Sequence, residues 1–171
     1  MQVFKAAKFH HNNSEVLSVL ETFKHMVNEA IRVGNEHKIR SRNKLITACY
    51  DEFKKKYNLH SHYTLSACEV ACARLKQYRK HRKLAYVRKP HLKLDNQSFK
   101  IVDGNLRIPV KPREFIHIPL KRRDYHKQFL NGTTLKMGSV TITSNTVTIA
   151  FSREVGTIEP TGMVAFDTNE K

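Results

Sequence analysis

Two hydrophobic patterns divide the chain. From residue 14 to about residue 83, apolar residues recur at three- and four-residue spacing, which predicts helices. Residues 3–9 and the region after Pro90 instead alternate apolar and polar positions in short runs, which predicts strands. The pattern therefore predicts an α+β protein, mainly β, with an inserted helical region.

The first helix is predicted over residues 14–33. Ser14 is the expected N-cap, since its side-chain oxygen is free to accept an early backbone N–H, and Gly34 is the expected C-terminal stop. One face of this helix carries the apolar residues Val16, Leu17, Leu20, Phe23, Met26, Val27, Ala30 and Ile31. This face is expected to pack against the other helices.

Two more helices follow in the same pattern. Residues 41–57 predict the second helix, residues 58–62 a turn, and a third helix is expected to start near Thr64. The third helix has an apolar seam formed by Leu65, Cys68, Cys72 and Leu75. The seam ends where a run of cations begins, so the first half of this helix is expected to pack and the second half to project toward a partner.

The region after Pro90 contains short alternating runs separated by turn residues such as Asp103-Gly104 and Ser144-Asn145. Only residues 125–130 suggest a helical turn, so this region predicts a small antiparallel sheet or barrel. Val3 to Phe9 also alternates. If that strand joins the sheet, the helices are an insertion; otherwise they form a separate N-terminal domain, and loop geometry does not decide between the two.

The composition restricts the classes of partner. The chain has 171 residues, and 31 Lys and Arg against 15 Asp and Glu give a net charge of +16. Such an excess is typical of proteins that bind a polyanion, either nucleic acid or an anionic membrane surface; the alternative is a merely solvated basic surface. The N-terminus lacks the pattern of a signal peptide and no apolar run is long enough to cross a bilayer, so a cytoplasmic location with reduced cysteines is expected.

The positive charge is concentrated in two segments. Residues 74–90 carry eight basic and no acidic side chains, and residues 121–127 carry a second cluster. The candidate nucleic-acid-binding residues are Arg74, Lys76, Arg79, Lys80, Arg82, Lys83, Lys121, Arg122, Arg123 and Lys127. Three tyrosines lie among them and either stack on unpaired bases or pack internally: Tyr78, Tyr86 and Tyr125.

The sequence contains little that predicts catalysis. None of the ten histidines has convincing metal-ligand spacing, and Cys68 and Cys72 are expected to be small core residues. Asp167 follows the apolar run 163–166, a position typical of a Mg²⁺ ligand at the end of a strand, although a terminal Asp in a turn is the plainer interpretation. No motif indicates a small-molecule substrate.

Five short motifs occur in an order that resembles a known family. They are Asn28–Ile31, Ser66–Ala71, Lys93–Phe99, Ile108–Leu120 and Val164–Asn169. In this order they resemble the N-terminal part of the TnpB (OrfB) proteins, which are RNA-guided DNA endonucleases of bacterial and archaeal transposons. The resemblance spans essentially the whole chain.

The resemblance implies an OB-like antiparallel wedge β-barrel. It would consist of residues 1–12 and 90–156, with a three-helix recognition region at 13–89 and the first strand of a truncated RuvC-like domain at 157–171. The resemblance also implies that Asp167 is the first catalytic carboxylate of a Mg²⁺-dependent site that is incomplete in this chain, which is therefore expected not to be an enzyme by itself. The expected partners are RNA and DNA backbones, with no membrane and no small-molecule substrate.

Three functions remain open on the sequence. The first is a nucleic-acid-binding fragment of a transposon RNA-guided endonuclease, in which the helical cations grip a guide–target duplex and residues 121–127 hold scaffold RNA. The second is a self-contained basic OB-type protein that binds single strands. The third is a nuclease completed by oligomerisation, in which Asp167 works with carboxylates of another chain.

Overall fold

A computed structural model describes residues 2–81, 86–130, 135–156 and 162, with side chains except at 78–81. The fold is α+β, as predicted, with two antiparallel sheets and four helices among the described residues. In chain order the elements are β1 (Gln2–His10), α1 (Glu15–Glu36), α2 (Arg42–Tyr57), α3 (Ser61–His81), β2 (Leu92–Leu94), β3 (Lys100–Val102), β4 (Asn105–Lys111), β5 (Glu114–Pro119), α4 (Asp124–Leu130), β6 (Lys136–Ile142) and β7 (Thr146–Glu154).

The first strand belongs to the same sheet as the last strands. The four-stranded sheet has the order β1-β7-β6-β2, and β1 pairs with β7 along its whole length, from Gln2 opposite Glu154 to His10 opposite Thr146. Helices α1 to α3 therefore lie between two strands of one sheet in the sequence. The sequence left this arrangement open beside a separate N-terminal helical domain.

A second sheet contains β3, β4 and β5, joined by tight hairpins. Asp103 and Gly104 form the β3–β4 loop with φ of 47° and 78°. Positive φ at both positions is the signature of a two-residue hairpin turn, so the predicted turn is confirmed. One face of this sheet buries Leu106, Ile108, Ile116 and Ile118 in the core that it shares with the helices.

A backbone bridge joins the ends of the two sheets. Within the described part of the chain, His10 pairs with Lys121, whose N–H donates to the His10 carbonyl at 3.2 Å. Among the described strands, neither sheet closes on itself. The structure thus shows two antiparallel sheets and a helical layer.

Helix α1 differs from the prediction at both ends. Within the described residues Ser14 makes no side-chain capping bond; instead Asn13 Oδ1 accepts the Glu15 N–H at 2.8 Å. Gly34 does not end the helix, which continues to Glu36. The left-handed backbone conformation that was expected at the glycine occurs two residues after the helix, at Lys38, with φ of 54°. At the N-terminal end a local bond to Asn13 replaces the expected cap, and at the C-terminal end the helix continues two residues beyond the expected stop.

The predicted apolar faces are largely confirmed. All members of the α1 face are buried except Leu17, which is 44% exposed. Helix α3 begins at Ser61, earlier than the expected Thr64, because Tyr63 and Thr64 are already buried in the helical layer. Among the described residues, no helix is both long and apolar enough to span a membrane.

The three cysteines lie in the interior, as Cys68 and Cys72 were expected to. Cys49, Cys68 and Cys72 are all buried and unbridged. A hydrogen bond with Cys49, together with burial, raises the pKa of the Cys68 thiol far above its ordinary value. Cys68 is therefore a protonated packing residue at any ordinary pH.

Candidate nucleic-acid interface

The best-defined cationic cluster, which we call the α4 cluster, consists of Lys121, Arg122, Arg123 and Lys127. All four side chains are exposed, and three of them line an open 640 Å³ cavity. The one carboxylate that lines this cavity, Asp124, lies 2.7 Å from Lys127 Nζ. Since both side chains of this ion pair are mostly exposed, it neutralises little of the cluster.

A buried histidine holds the α4 cluster against β1. The His126 ring stacks on Phe9 with 4.4 Å between ring centroids. Its Nε2 donates to the Lys8 carbonyl at 3.0 Å, while its Nδ1 accepts the Arg123 N–H at 2.9 Å. These contacts fix the start of α4. The sequence analysis missed His126, whose only signal was a histidine at the centre of a cationic run.

A glycine positions one member of the α4 cluster. A Cβ at position 104 would overlap the guanidinium of Arg122, so that side chain lies directly over the backbone of Gly104. Gly104 is also one of the two residues with positive φ in the β3–β4 turn. The predicted turn glycine thus has a second role, because it brings the α4 cluster to the end of the three-stranded sheet.

The predicted helical cations are only partly described. Arg74 and Lys76 are exposed on α3, and Arg74 Nη1 donates to Gln77 at 3.2 Å. The backbone of Arg79 and Lys80 lies in α3, but their side chains are outside the described part. Three further predicted residues lie outside the described residues altogether: Arg82, Lys83 and Asp167.

The structure describes the side chains of two of the three candidate stacking tyrosines. Tyr86 is 56% exposed and Tyr125 is 60% exposed, so both rings are available to a ligand. Tyr125 also makes an edge contact with Phe129, 5.2 Å between centroids, and lies next to the α4 cluster. The side chain of Tyr78 is outside the described part of the chain.

A second concave site, which we call the histidine pocket, lies where the α2–α3 loop contacts the three-stranded sheet. The His60 N–H donates to the Val110 carbonyl at 2.9 Å, and Tyr63 Oη donates to the Pro109 carbonyl at 2.6 Å. The resulting cavity has a volume of 180 Å³. It is lined by His60, His62, Gln97, Ser98, Phe99, Lys100, Arg107, Pro109 and Phe115.

Ser98 and His62 of this pocket contact an aspartate behind the lining, Asp95, but the three do not form a nucleophilic triad. The Ser98 hydroxyl donates to Asp95 Oδ1 and lies 2.6 Å from His62 Nδ1. In a catalytic triad the imidazole stands between the serine and the carboxylate, whereas here the serine stands between the other two. Ser98 is also only 5% exposed. The trio therefore orients His62 and does not activate Ser98.

A charged cluster ties α1 to α2 beside an open 850 Å³ cavity. Lys56 Nζ lies 2.8 Å from both oxygens of Glu29, Tyr57 donates to the same carboxylate, and the Glu29 side chain is only 11% exposed. Burial alone would raise the pKa of Glu29, but the hydrogen bonds from Lys56 and Tyr57 outweigh burial and lower it. Glu29 is therefore charged at neutral pH and stabilises the helical layer.

Replacing Glu29 by Gln is expected to lower the free energy of unfolding by about 1–2 kcal/mol at neutral pH, because a charge-assisted hydrogen bond is lost. Since the folded-state pKa of Glu29 is below its ordinary 4.5, the difference should shrink as pH falls through that range. Denaturant unfolding at several pH values measures this. Glu36→Gln, at an exposed carboxylate, is the control and should cost less than about 1 kcal/mol; equal effects would contradict the assignment.

The described residues contain no metal site. No group of three or more His, Cys, Asp or Glu side chains within that part of the chain is placed to hold a metal ion. His60 and His62 are stacked, with 5.1 Å between ring centroids, and face the histidine pocket. The structure thus offers cationic and aromatic surfaces for binding.

Two comparisons with known proteins found similarities to this chain. Residues 19–109, just over half of the chain, match the family described as "Uncharacterized protein MJ0013 family". The chain is also 42% identical over 73 residues to "Uncharacterized protein MJ0752" of Methanocaldococcus jannaschii, which covers 42% of this chain and 95% of that protein. The family match begins within α1, ends within β4 and so stops before the α4 cluster.

These matches overturn the expected family. Neither comparison points to a transposon endonuclease, so membership of the TnpB (OrfB) family, and with it the transposase, DNA-recombination and RuvC-like assignments, is wrong. The motifs behind that expectation, such as Asn28–Ile31 and Ser66–Ala71, are short stretches of amphipathic helix, a pattern that unrelated helices share. The chain belongs to the Uncharacterized protein MJ0013 family.

Proposed function

We propose that this protein binds nucleic acid through the phosphate backbone, and that it is a binding protein with no catalytic step of its own. The observation that carries the proposal is the α4 cluster, four exposed cations of which three line one open cavity together with the exposed carboxylate of Asp124. Cations so gathered neutralise successive phosphates and release their counterions. The net charge of +16 supports the same partner.

Helix α3 supplies a second cationic surface in this proposal. Arg74 and Lys76 are exposed on either side of the buried Leu75. Their exposure lets both side chains contact a phosphate. We include Arg79, Lys80, Arg82 and Lys83 in the same surface on the basis of the sequence.

The OB-like barrel remains part of the proposal. OB folds bind single strands across a partly open barrel, and the bridge between His10 and Lys121 brings the ends of the two sheets together here. Lys121 of that bridge is the first residue of the α4 cluster. The backbone-binding residues would then lie at the junction of the two halves, as a self-contained single-strand binder requires.

Salt dependence tests the proposed function. For a single-stranded oligonucleotide, a plot of log affinity against log salt has a negative slope. Replacing Lys121, Arg123 and Lys127 by Ala should make that slope shallower by about two, because each lost phosphate contact removes about 0.7. Arg122 is kept because it packs over Gly104. Fluorescence anisotropy over a KCl series measures the slope.

The matched control removes the same charge elsewhere. Lys44, Lys54 and Lys55 are exposed on α2, and replacing all three by Ala changes the net charge equally. This control should keep the wild-type slope. Equal slopes for the two triple variants would mean that only the overall charge matters, and would contradict the assignment of the α4 cluster as the binding site. Binding to anionic vesicles in preference to the oligonucleotide would identify a membrane surface as the partner and contradict the function.

A further inference from the structure

The histidine pocket combines two cations with stacked rings. The guanidinium carbon of Arg107 lies 4.7 Å from the centroid of the Phe115 ring, over which it stacks. Phe115 nevertheless remains 45% exposed, so its ring is accessible to a ligand. Lys100 lies directly opposite Arg107 in the neighbouring strand. A ring platform thus lies beside two cations on one sheet.

The register places these groups on the solvent face of the three-stranded sheet. Residues 106, 108, 116 and 118 point into the core, and strand alternation puts the intervening residues on the other face. Phe115 pairs with Pro109, and His117 pairs with Arg107, which pairs in turn with Lys100. The open face is therefore aromatic and cationic.

The size and chemistry of the pocket suit one planar ring. A cavity of about 150 Å³ is known to hold a benzene molecule, whereas drug-sized ligands occupy roughly 300–1,000 Å³, so 180 Å³ suits a single base. No carboxylate is among the residues that line the cavity; Asp95 lies behind the lining, bonded to Ser98 and 3.8 Å from His62 Nδ1. Burial and the neighbouring His62 both lower the pKa of His60, which favours a neutral imidazole with one donor and one acceptor.

We propose that the histidine pocket holds one unpaired nucleobase of a single strand, stacked on Phe115, with the adjoining phosphate on Lys100 and Arg107. The inference rests on the proposed nucleic-acid binding and adds a preference for single strands, because a base inside a duplex is not free to enter. The Arg122 guanidinium over Gly104 marks the end of the same sheet, so the strand runs from the pocket toward the α4 cluster.

An abasic strand separates this inference from backbone binding. The full chain is titrated by fluorescence anisotropy with a mixed-sequence single strand of about twelve nucleotides, and with an abasic strand of equal length. Phe115→Ala is expected to weaken binding of the base-bearing strand roughly five- to a hundredfold, the range for loss of one stacking contact. It should leave binding of the abasic strand unchanged.

The control is Phe4→Ala. Phe4 is 69% exposed on β1, in the other sheet, and its loss should change neither affinity. Circular dichroism shows whether each variant remains folded, which is expected because both rings are exposed. Wild-type affinity of Phe115→Ala for the base-bearing strand, or an equal loss on both strands, would overturn the base pocket while backbone binding stands. Absence of wild-type binding to either strand would refute the proposed function itself.

Discussion

Replacing Tyr63 by Ala is expected to lower the free energy of unfolding by about 3–5 kcal/mol, the range for truncating a fully buried aromatic side chain. Tyr63 is 0% exposed and makes an edge contact with Phe23, 6.3 Å between centroids. Its hydroxyl reaches the Pro109 carbonyl in the three-stranded sheet. One side chain therefore joins the helical layer to that sheet, and denaturant or thermal unfolding, with a fall in Tm of roughly 6–20 °C, measures its loss.

The hydroxyl and the ring of Tyr63 contribute separately. Tyr63→Phe keeps the ring but leaves the Pro109 carbonyl without this donor. It should therefore lower the free energy of unfolding by about 1–3 kcal/mol. Tyr125→Phe removes the hydroxyl of an exposed tyrosine and should change stability by less than about 0.5 kcal/mol. If Tyr63→Phe were as mild as Tyr125→Phe, the bond to Pro109 would not hold the sheet.

Tyr63 also connects the core to the proposed base site. Its bond to Pro109 and the His60 N–H bond to Val110 are adjacent on β4, and both hold the α2–α3 loop against the sheet. His60, His62 and Pro109 then line one pocket. The site exists because two segments about fifty residues apart in the chain are pinned together at one strand.

Local patterns predicted the elements well where one period dominated. The three helices followed from apolar spacing, and the Asp103-Gly104 and Ser144-Asn145 turns followed from residues suited to tight hairpins. The insertion of the helices between β1 and the other strands was left open. Strand pairing between residues 2–10 and 146–154 depends on contacts across the whole chain, which no local window contains.

The candidate site was predictable only where it was local in sequence. The α4 cluster is a run of neighbouring cations, and charge counting found it. Phe115 was predicted only as an apolar strand residue, because the sequence does not tell which of two adjacent apolar positions, 115 or 116, faces the core. The strand register turns Phe115 outward beside Arg107. His126 was missed for a related reason, since its partners lie on β1, over a hundred residues away.

Gly34 shows most clearly how packing overrides a local signal. At the end of an apolar pattern it predicted a helix stop, yet α1 continues through it and Arg40 donates to its carbonyl at 2.6 Å. A Cβ at position 34 would lie 2.5 Å from Cδ1 of Leu75 and 3.2 Å from the Ile39 carbonyl oxygen. The glycine is therefore required by the close approach of α1 and α3.

Gly34→Ala is accordingly expected to destabilise the protein by about 1–3 kcal/mol through overpacking, although alanine is intrinsically the better helix former by about 1 kcal/mol. Because Leu75 is fully buried, its side chain cannot easily move aside to make room for the added methyl group. Leu75→Ala should itself cost about 2–5 kcal/mol, but in that background Gly34→Ala should become neutral or stabilising. A double-mutant cycle by denaturant unfolding measures the coupling. An unchanged effect of Gly34→Ala in the two backgrounds would show that Leu75 is not the obstacle, and the close packing of α1 on α3 would no longer explain why the glycine is there.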